Sequence, residues 1–320
     1  MSFSAEVKEE LISVRLRRSD DAVKLVSGYT LAAASLKYSR AHRQWGLHYV
    51  SENPACINFI AKLAVKAYEL ESEISLNVHQ RLHARNTELF LYGSGVDALC
   101  FDSGLMSLDE NGEKSFVTKL PAGLESEHSC RAFVRGVFLA CGTVSDPKTS
   151  CHAELVLKNE YVAEELRKLL SEREIPPKLA RRRGLFVVYM KNGDTVEDFL
   201  TFMGAGEAML AVREQRMIRE VKNNSNREVN CFSANMEKAA KASAQQTEDI
   251  RLIISELGPD ALSEELYEVA YARMGNPELT LAELAKAIGI GRSAVNYRLK
   301  RISALAAEIR KENTRNGQEE

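Results

Sequence analysis

The chain of 320 residues has 7 prolines, one tryptophan, a net charge of −2 and no long apolar run. Each shortage closes off a class of protein. Scarce proline and 18 glycines exclude collagen-like and low-complexity architectures. A hydrophobic share of 45% beside 28% charged residues excludes a largely disordered chain. No stretch approaches the ~18 consecutive apolar residues of a membrane helix. The opening residues, Met1 to Glu10, are acidic and polar, where a secretory leader is basic and then apolar. A cytoplasmic protein without membrane association is expected. With so small a net charge there is no general basic excess, so any surface for nucleic acid must be local. At roughly 150 residues per domain, the length predicts two or three domains.

Metal and nucleophile chemistry is thin. The six cysteines, Cys56, Cys100, Cys130, Cys141, Cys151 and Cys231, include no CxxC, and no His/Cys spacing fits a zinc site. A cytoplasmic setting disfavours disulfides, so free thiols are expected. His79 and His83 have a helical spacing, but they follow the alternating, strand-like stretch 74–78 and lack a third ligand. No metal and no cofactor is expected.

What is present is a repeat. Leu25-Val26-Ser27-Gly28-Tyr29-Thr30-Leu31-Ala32-Ala33 matches Phe133-Val134-Arg135-Gly136-Val137-Phe138-Leu139-Ala140-Cys141 at an offset of 108. An alternating run follows each copy, residues 46–51 and residues 152–157, and then an amphipathic helix, 58–68 and 161–170. Strand-like runs end the copies, near 74–79 and 88–93, and near 178–183 and 185–190. The shared plan is helix, strand, helix, strand, strand, helix. Gly28 with Ala32 and Gly136 with Ala140 put small residues four apart on one helical face, where two backbones can approach closely. Two copies docked about a pseudo-twofold axis are predicted.

This arrangement resembles the LAGLIDADG homing-endonuclease fold over about residues 20–210. The resemblance implies two motif helices at the pseudo-twofold, each ending in an acid that holds a divalent metal over DNA. In this sequence the acidic positions fall at Ala33 and Cys141. Neither side chain ligates a hard cation, and metal-assisted phosphodiester cleavage needs oxygen ligands. A nuclease-like scaffold without the chemistry is expected.

Residues 207–226 read as a basic helix, with Arg213, Arg216, Arg219 and Lys222 every three residues. Leu210, Met217, Ile218 and Val221 are available for burial. The basic residues either solvate a linker or contact phosphates. Asn223 to Arg227 reads as a polar loop, with a further helix capped by Ser233.

The charge the whole chain conceals lies near its end. Residues 248–283 hold nine acids against two bases, and residues 286–315 hold eight bases against two acids. Within that span Thr280 and Glu283 form a capping box for the helix 281–287, Gly289 supplies a turn, and a second helix runs over 292–302. At about 100° per residue, Val295, Leu299 and Ile302 form its buried stripe, while Ser293, Asn296, Tyr297, Lys300 and Arg301 point outward. This is a helix-turn-helix layout, whose second helix enters a major groove of double-stranded DNA. Asn296 suits an adenine edge. Ser293 and Tyr297 suit base or phosphate, and Arg292, Arg298, Lys300 and Arg301 suit phosphate or guanine.

The helical opening Met1 to Leu11, the degenerate duplicated domain, the segment Asn226-Arg227 … Val229-Asn230-Cys231 … Ala234-Asn235 … Lys238 and the ending Ser293-Ala294-Val295-Asn296-Tyr297-Arg298-Leu299 together resemble the WhiA family. The resemblance implies a non-enzymatic, DNA-binding transcription regulator of Gram-positive bacteria. Its expected roles are cell division, chromosome segregation and, in sporulating hosts, sporulation. It would act at the nucleoid, with RNA polymerase or another regulator as a further partner. The alternatives are an active metal-dependent LAGLIDADG endonuclease and a ligand-gated regulator with a pocket between the repeats. The expected architecture is α+β. An N-terminal helix (1–19) precedes the duplicated LAGLIDADG-like domain (20–210, copies about 20–105 and 128–210). A helical linker (211–247), an all-α helix-turn-helix domain (248–315) and a tail (316–320) follow.

Overall fold

The structure, a computed structural model, describes residues 2–79 and 84–316. His83 of the histidine pair therefore lies outside the described residues. The chain forms two compact units, one up to Arg219 and one from Glu220.

In the first unit, helix α1 (Phe3–Ser13) precedes the first copy: α2 (Ser19–Ala33), β1 (Ser35–Ser39), β2 (Gln44–Ser51), α3 (Pro54–Tyr68), β3 (Glu71–His79), β4 (Ala84–Tyr92) and α4 (Val96–Asp102). A short hairpin of β5 (Met106–Leu108) and β6 (Lys114–Phe116) leads into the second copy. That copy comprises α5 (Glu127–Cys141), β7 (Gly142–Val144), β8 (Ala153–Leu157), α6 (Glu160–Ser171), β9 (Lys178–Arg182), β10 (Leu185–Met190) and α7 (Gly193–Met203). The sheets have the same antiparallel order, β1-β2-β4-β3 and β7-β8-β10-β9. The duplicated α+β reading therefore holds, with one correction: each copy has an additional strand, β1 or β7, directly after its motif helix. Those strands escaped the pattern because β1 is mostly exposed and β7 has only three residues, too short to alternate visibly.

Local chemistry repeats between the copies. Asn53 caps α3, its Oδ1 accepting from the amides of Ala55 and Cys56 at 3.0 and 3.1 Å. Asn159 caps α6 in the equivalent place, accepting from the Val162 amide at 3.1 Å. Along β2, Leu47 and Tyr49 enter the core while the alternate residues His48 and Val50 are half-buried and exposed.

The copies meet where α2 crosses α5. A Cβ on Gly28 would overlap the Phe133 carbonyl, and one on Gly136 would overlap the Leu25 carbonyl. The helices are in backbone contact there, and only glycine fits at either position. Leu25, Tyr29, Phe133 and Val137 close around the crossing and are fully buried or nearly so. Helix α1 adds Val7 and Leu11 to the same core. Its Ser4 hydroxyl donates to the Val144 carbonyl (3.2 Å) and accepts from the Val144 amide (2.6 Å), tying α1 to β7.

Helix α8 (Gly206–Leu257) runs unbroken through residues 223–227, where a loop was expected, and needs no new cap at Ser233. Between Gly206 and Gly258 there is neither glycine nor proline. An exposed Asn or Ser costs a helix less than about 0.7 kcal/mol, too little to break it without a competing partner. Leu210, Met217, Ile218 and Val221, expected to be available for burial, are exposed. The Glu10 carboxylate accepts from the first free amides of α8, those of Glu207 and Ala208, at 2.7 and 3.0 Å.

In the second unit, the end of α8 packs with α9 (Glu264–Gly275), α10 (Leu281–Ala287) and α11 (Arg292–Asn316). Ile250, Ile253, Val269, Leu284, Val295 and Leu299 form its centre. The buried Asp249, 2% exposed, pairs with Arg310 at 2.7 Å and joins α8 to α11. Burial opposes the Asp249 charge. Hydrogen bonds from Ser303, Gln245 and Arg310 outweigh it and hold the carboxyl below the usual range.

Candidate nucleic-acid interface

The turn between α10 and α11 follows from its capping groups. The Glu283 amide donates to Thr280 Oγ1 (3.3 Å) and the Thr280 amide donates to Glu283 Oε2 (2.8 Å), closing the capping box. Those bonds hold the Glu283 carboxyl below its ordinary value. Helix α10 ends at Gly289, whose φ of +73° lets the Ile290 amide reach the Ala285 carbonyl at 3.1 Å. The Gly291 carbonyl then accepts from the Ala294 and Val295 amides and starts α11.

With Val295, Leu299 and Ile302 buried as expected, the other face of α11 is fixed. Arg292, Ser293, Tyr297, Lys300 and Arg301 are exposed, and Asn296 is half-buried. Arg298 is placed differently from the outward set. It is 18% exposed and lies against α9, 3.3 Å from the Glu265 carboxylate and 3.4 Å from that of Glu268. Three residues carry features that the sequence did not single out. Arg273, fully buried, donates to the Leu279 carbonyl at 2.6 Å and to Ser243 Oγ at 3.3 Å, anchoring the segment that leads into Thr280. Tyr267 and Tyr271 stack in the open on α9, with ring centroids 6.3 Å apart; their i, i+4 spacing was the available signal.

The basic run on α8 divides. Arg213 pairs with Glu197 at 2.9 Å, and Arg216 pairs with Glu197 and, at 2.6 Å, with Asp194. Arg219 donates to the Pro147 carbonyl and lies 3.4 Å from Cys151 Sγ. These three arginines fasten the start of α8 to α7 and to the β7–β8 loop, and Glu197 is buried beneath Arg213 and Arg216. Burial works against the Arg216 charge, and its bonds to Asp194 and Glu197 more than compensate, raising its pKa. Lys222 is exposed and makes no ion pair among the described residues.

At the pseudo-twofold, Ala33 and Cys141 close the two motif helices. The Cys141 thiol donates to the Val137 carbonyl at 3.3 Å, and burial pushes its pKa up to about 12. A methyl group and a neutral thiol offer no oxygen to a hard cation. Among the described residues no group of three or more His, Cys, Asp or Glu side chains converges. On the outward face of the first sheet Glu73 pairs with His42 at 2.8 Å and Glu88 with His48 at 3.0 Å, beside Lys37 and Arg40.

Two family models match the chain. The WhiA LAGLIDADG-like domain matches residues 130–222, and the WhiA C-terminal HTH domain matches residues 225–306. The chain is 34% identical to a probable cell division protein WhiA of Clostridium acetobutylicum over 98% of its own length and 99% of that protein. It is 35% identical to the protein of that name from Lactobacillus acidophilus, over 97% and 99%. Among solved structures, full-length DUF199/WhiA from Thermatoga maritima shares its fold with a TM-score of 0.59 at 24% identity, covering 96% of this chain and 99% of that one. The N-terminal LAGLIDADG domain of DUF199/WhiA aligns with a TM-score of 0.50 at 18% identity, covering 63% of this chain and 90% of that one. No helix among the described residues is long and apolar enough to cross a membrane. A degenerate, duplicated LAGLIDADG-like unit followed by an HTH unit, with relatives above 30% identity along almost the whole length, establishes that the chain belongs to the WhiA family.

Proposed function

We propose that the protein is a non-enzymatic, sequence-specific regulator of transcription that reads double-stranded DNA with α11. The observation that carries the reading is the outward face of α11: Arg292, Ser293, Tyr297, Lys300 and Arg301 exposed beside Asn296, on a helix whose opposite face is locked into the core. Asn296 pairs with a base edge, most naturally adenine, and Ser293 and Tyr297 contact base or phosphate. Arg292, Lys300 and Arg301 neutralise phosphates or meet guanine. Arg298 supports the interface from behind, by holding α11 against α9. Of the basic run on α8, Lys222 keeps the role of a phosphate contact, whereas the other three are engaged within their own unit.

The domain division that goes with this reading is an N-terminal helix, a duplicated scaffold, a helical linker and the DNA-binding end. The targets are genes of cell division and chromosome segregation, with sporulation genes in hosts that sporulate. The site of action is the cytoplasm, at the nucleoid, with RNA polymerase or another regulator as a protein partner. The relatives' name, probable cell division protein WhiA, supports the cell-division part.

The test is a selection of binding sites from random duplex DNA, followed by titration of the recovered site at several salt concentrations. Lys300→Ala should weaken binding and reduce the slope of log K against log [salt] by about one unit. Unchanged affinity and slope in Lys300→Ala and Arg301→Ala would refute the assignment of α11. Incubating the protein with Mg²⁺ and the same DNA tests the nuclease alternative, and metal-dependent ends would overturn the non-enzymatic reading.

A further inference from the structure

The pseudo-twofold generates two equivalent grooves, and the protein fills only one of them. In the first unit, a cavity of about 290 Å³ opens where the end of α2 meets the start of α6. Leu31, Ala32, Ala34, Leu157 and Val162 supply its apolar wall, Leu105 and Thr118 of the segment between the copies close one side, and Lys158 stands at its rim beside the cap residue Asn159. The offset of 108 carries Leu31, Ala32 and Ala34 onto Leu139, Ala140 and Gly142. The equivalent caps Asn53 and Asn159 carry Lys158 onto Glu52 and Val162 onto Cys56.

That mate groove is occupied. Helix α1 lies across α3, β7 and α5. Ser4 bonds the Val144 backbone on both sides, and Lys8 Nζ stands 6.0 Å from the Phe138 ring. The charged and thiol groups around Lys8 are Cys56, Cys141 and Glu52, which are the mates of Val162, Ala33 and Lys158. A basic residue thus enters the groove whose rim is acidic. The open groove has the reverse rim: Lys158 is exposed and makes no ion pair among the described residues.

We infer that the open groove between α2 and α6 is a docking site for an amphipathic helical segment of another protein, one that seats apolar side chains against Leu31 and Val162 and presents a carboxylate to Lys158. The occupied mate gives the shape of the occupant, and the reversed rim gives its charge. The cavity has room for a few anchoring side chains, with the body of the helix remaining outside as α1 does. The inference does not depend on the DNA-binding role of α11.

The probe is the α1 peptide, residues 2–14, fluorescently labelled, in its own sequence and with Lys8→Glu, titrated against the full-length protein. In the intact chain α1 holds its own groove at high effective concentration, so the added peptide reports on the open one. The Lys8→Glu peptide should bind wild type in preference to the unaltered peptide, and Lys158→Glu should reverse that order. Each change should be about three- to tenfold, as for reversal of a surface ion pair. Ala32→Leu, which fills the groove, should weaken both peptides, with unchanged melting as the control on folding. Absence of binding by either peptide, or the same ranking by wild type and Lys158→Glu, would overturn the inference. So would a dimer in sedimentation that Lys158→Glu dissolves, which would make the occupant a second copy. Saturation of the groove by a small carboxylate such as hexanoate, with the peptides excluded, would equally defeat it.

Discussion

The crossing of α2 and α5 makes a prediction whose sign runs against helix propensity. Gly136 lies inside α5, and in an exposed helix its replacement by alanine would stabilise by about 1 kcal/mol. Here the added Cβ falls on the Leu25 carbonyl oxygen and close to the Tyr29 amide, both of them backbone atoms that cannot rotate away. The helices must separate, loosening Leu25, Tyr29, Phe133 and Val137 together. Overpacking of this kind costs about 1–3 kcal/mol, and more when the clash is with backbone. The net effect of Gly136→Ala is a loss of about 1–2 kcal/mol, and Gly136→Val should lose more. For a unit of this size that lowers Tm by about 2–8 °C. Calorimetry, with the transition of the first unit followed separately from that of the second, reads the shift. Gly275→Ala is the control, because a Cβ there meets nothing within 4 Å. An unchanged or raised Tm in Gly136→Ala would refute the close crossing and, with it, the way the copies are joined.

Further outcomes concern the second unit. Asp249 has a folded pKa below its unfolded value, so its contribution to stability is complete above the unfolded pKa and is lost as pH falls through the folded one. Acid titration of the unit's stability should therefore show a loss below about pH 4 that Asp249→Asn abolishes; a wild-type profile unchanged by the substitution would contradict the Arg310 pairing. Thr280→Ala removes the capping box and should cost about 1 kcal/mol, measured by urea unfolding. Asn296→Ala should cost about 1–3 kcal/mol of discrimination at one base position, visible as a relaxed consensus in repeated site selection. Arg298→Ala should leave the salt slope closer to wild type than Lys300→Ala does, because its charge is already shared with Glu265 and Glu268.

Patterns that act over a few residues were legible in the sequence. The capping box at Thr280, the left-handed glycine at 289 and the buried stripe of Val295, Leu299 and Ile302 need only neighbouring residues and helical geometry, and all three stand as read. The repeat was legible because duplication leaves two samples of one pattern, and glycine at the same place in both marked the crossing. Strands β1 and β7 were missed, being too exposed or too short for alternation to register. The break expected at residues 223–227 rested on composition, and polar residues alone do not end a helix that lacks glycine and proline.

Charge was the least legible quantity. Arg213, Arg216 and Arg219 read as a basic flank, because the sequence does not show that Glu197 lies buried beneath the first two and the Pro147 carbonyl beside the third. Arg298 read as a phosphate or guanine contact, because the sequence does not show that Glu265 and Glu268 of a separate helix lie against it. The open and filled grooves are invisible in the repeat for the same reason: what differs between them is α1, which comes from outside both copies. By itself the sequence determined most of the elements, the duplication, the absence of acids at Ala33 and Cys141 and the polar side of α11. Tertiary structure decided which charges remain free. A charge spends its field on whatever lies within a few ångströms, and distant segments are brought that close only by folding.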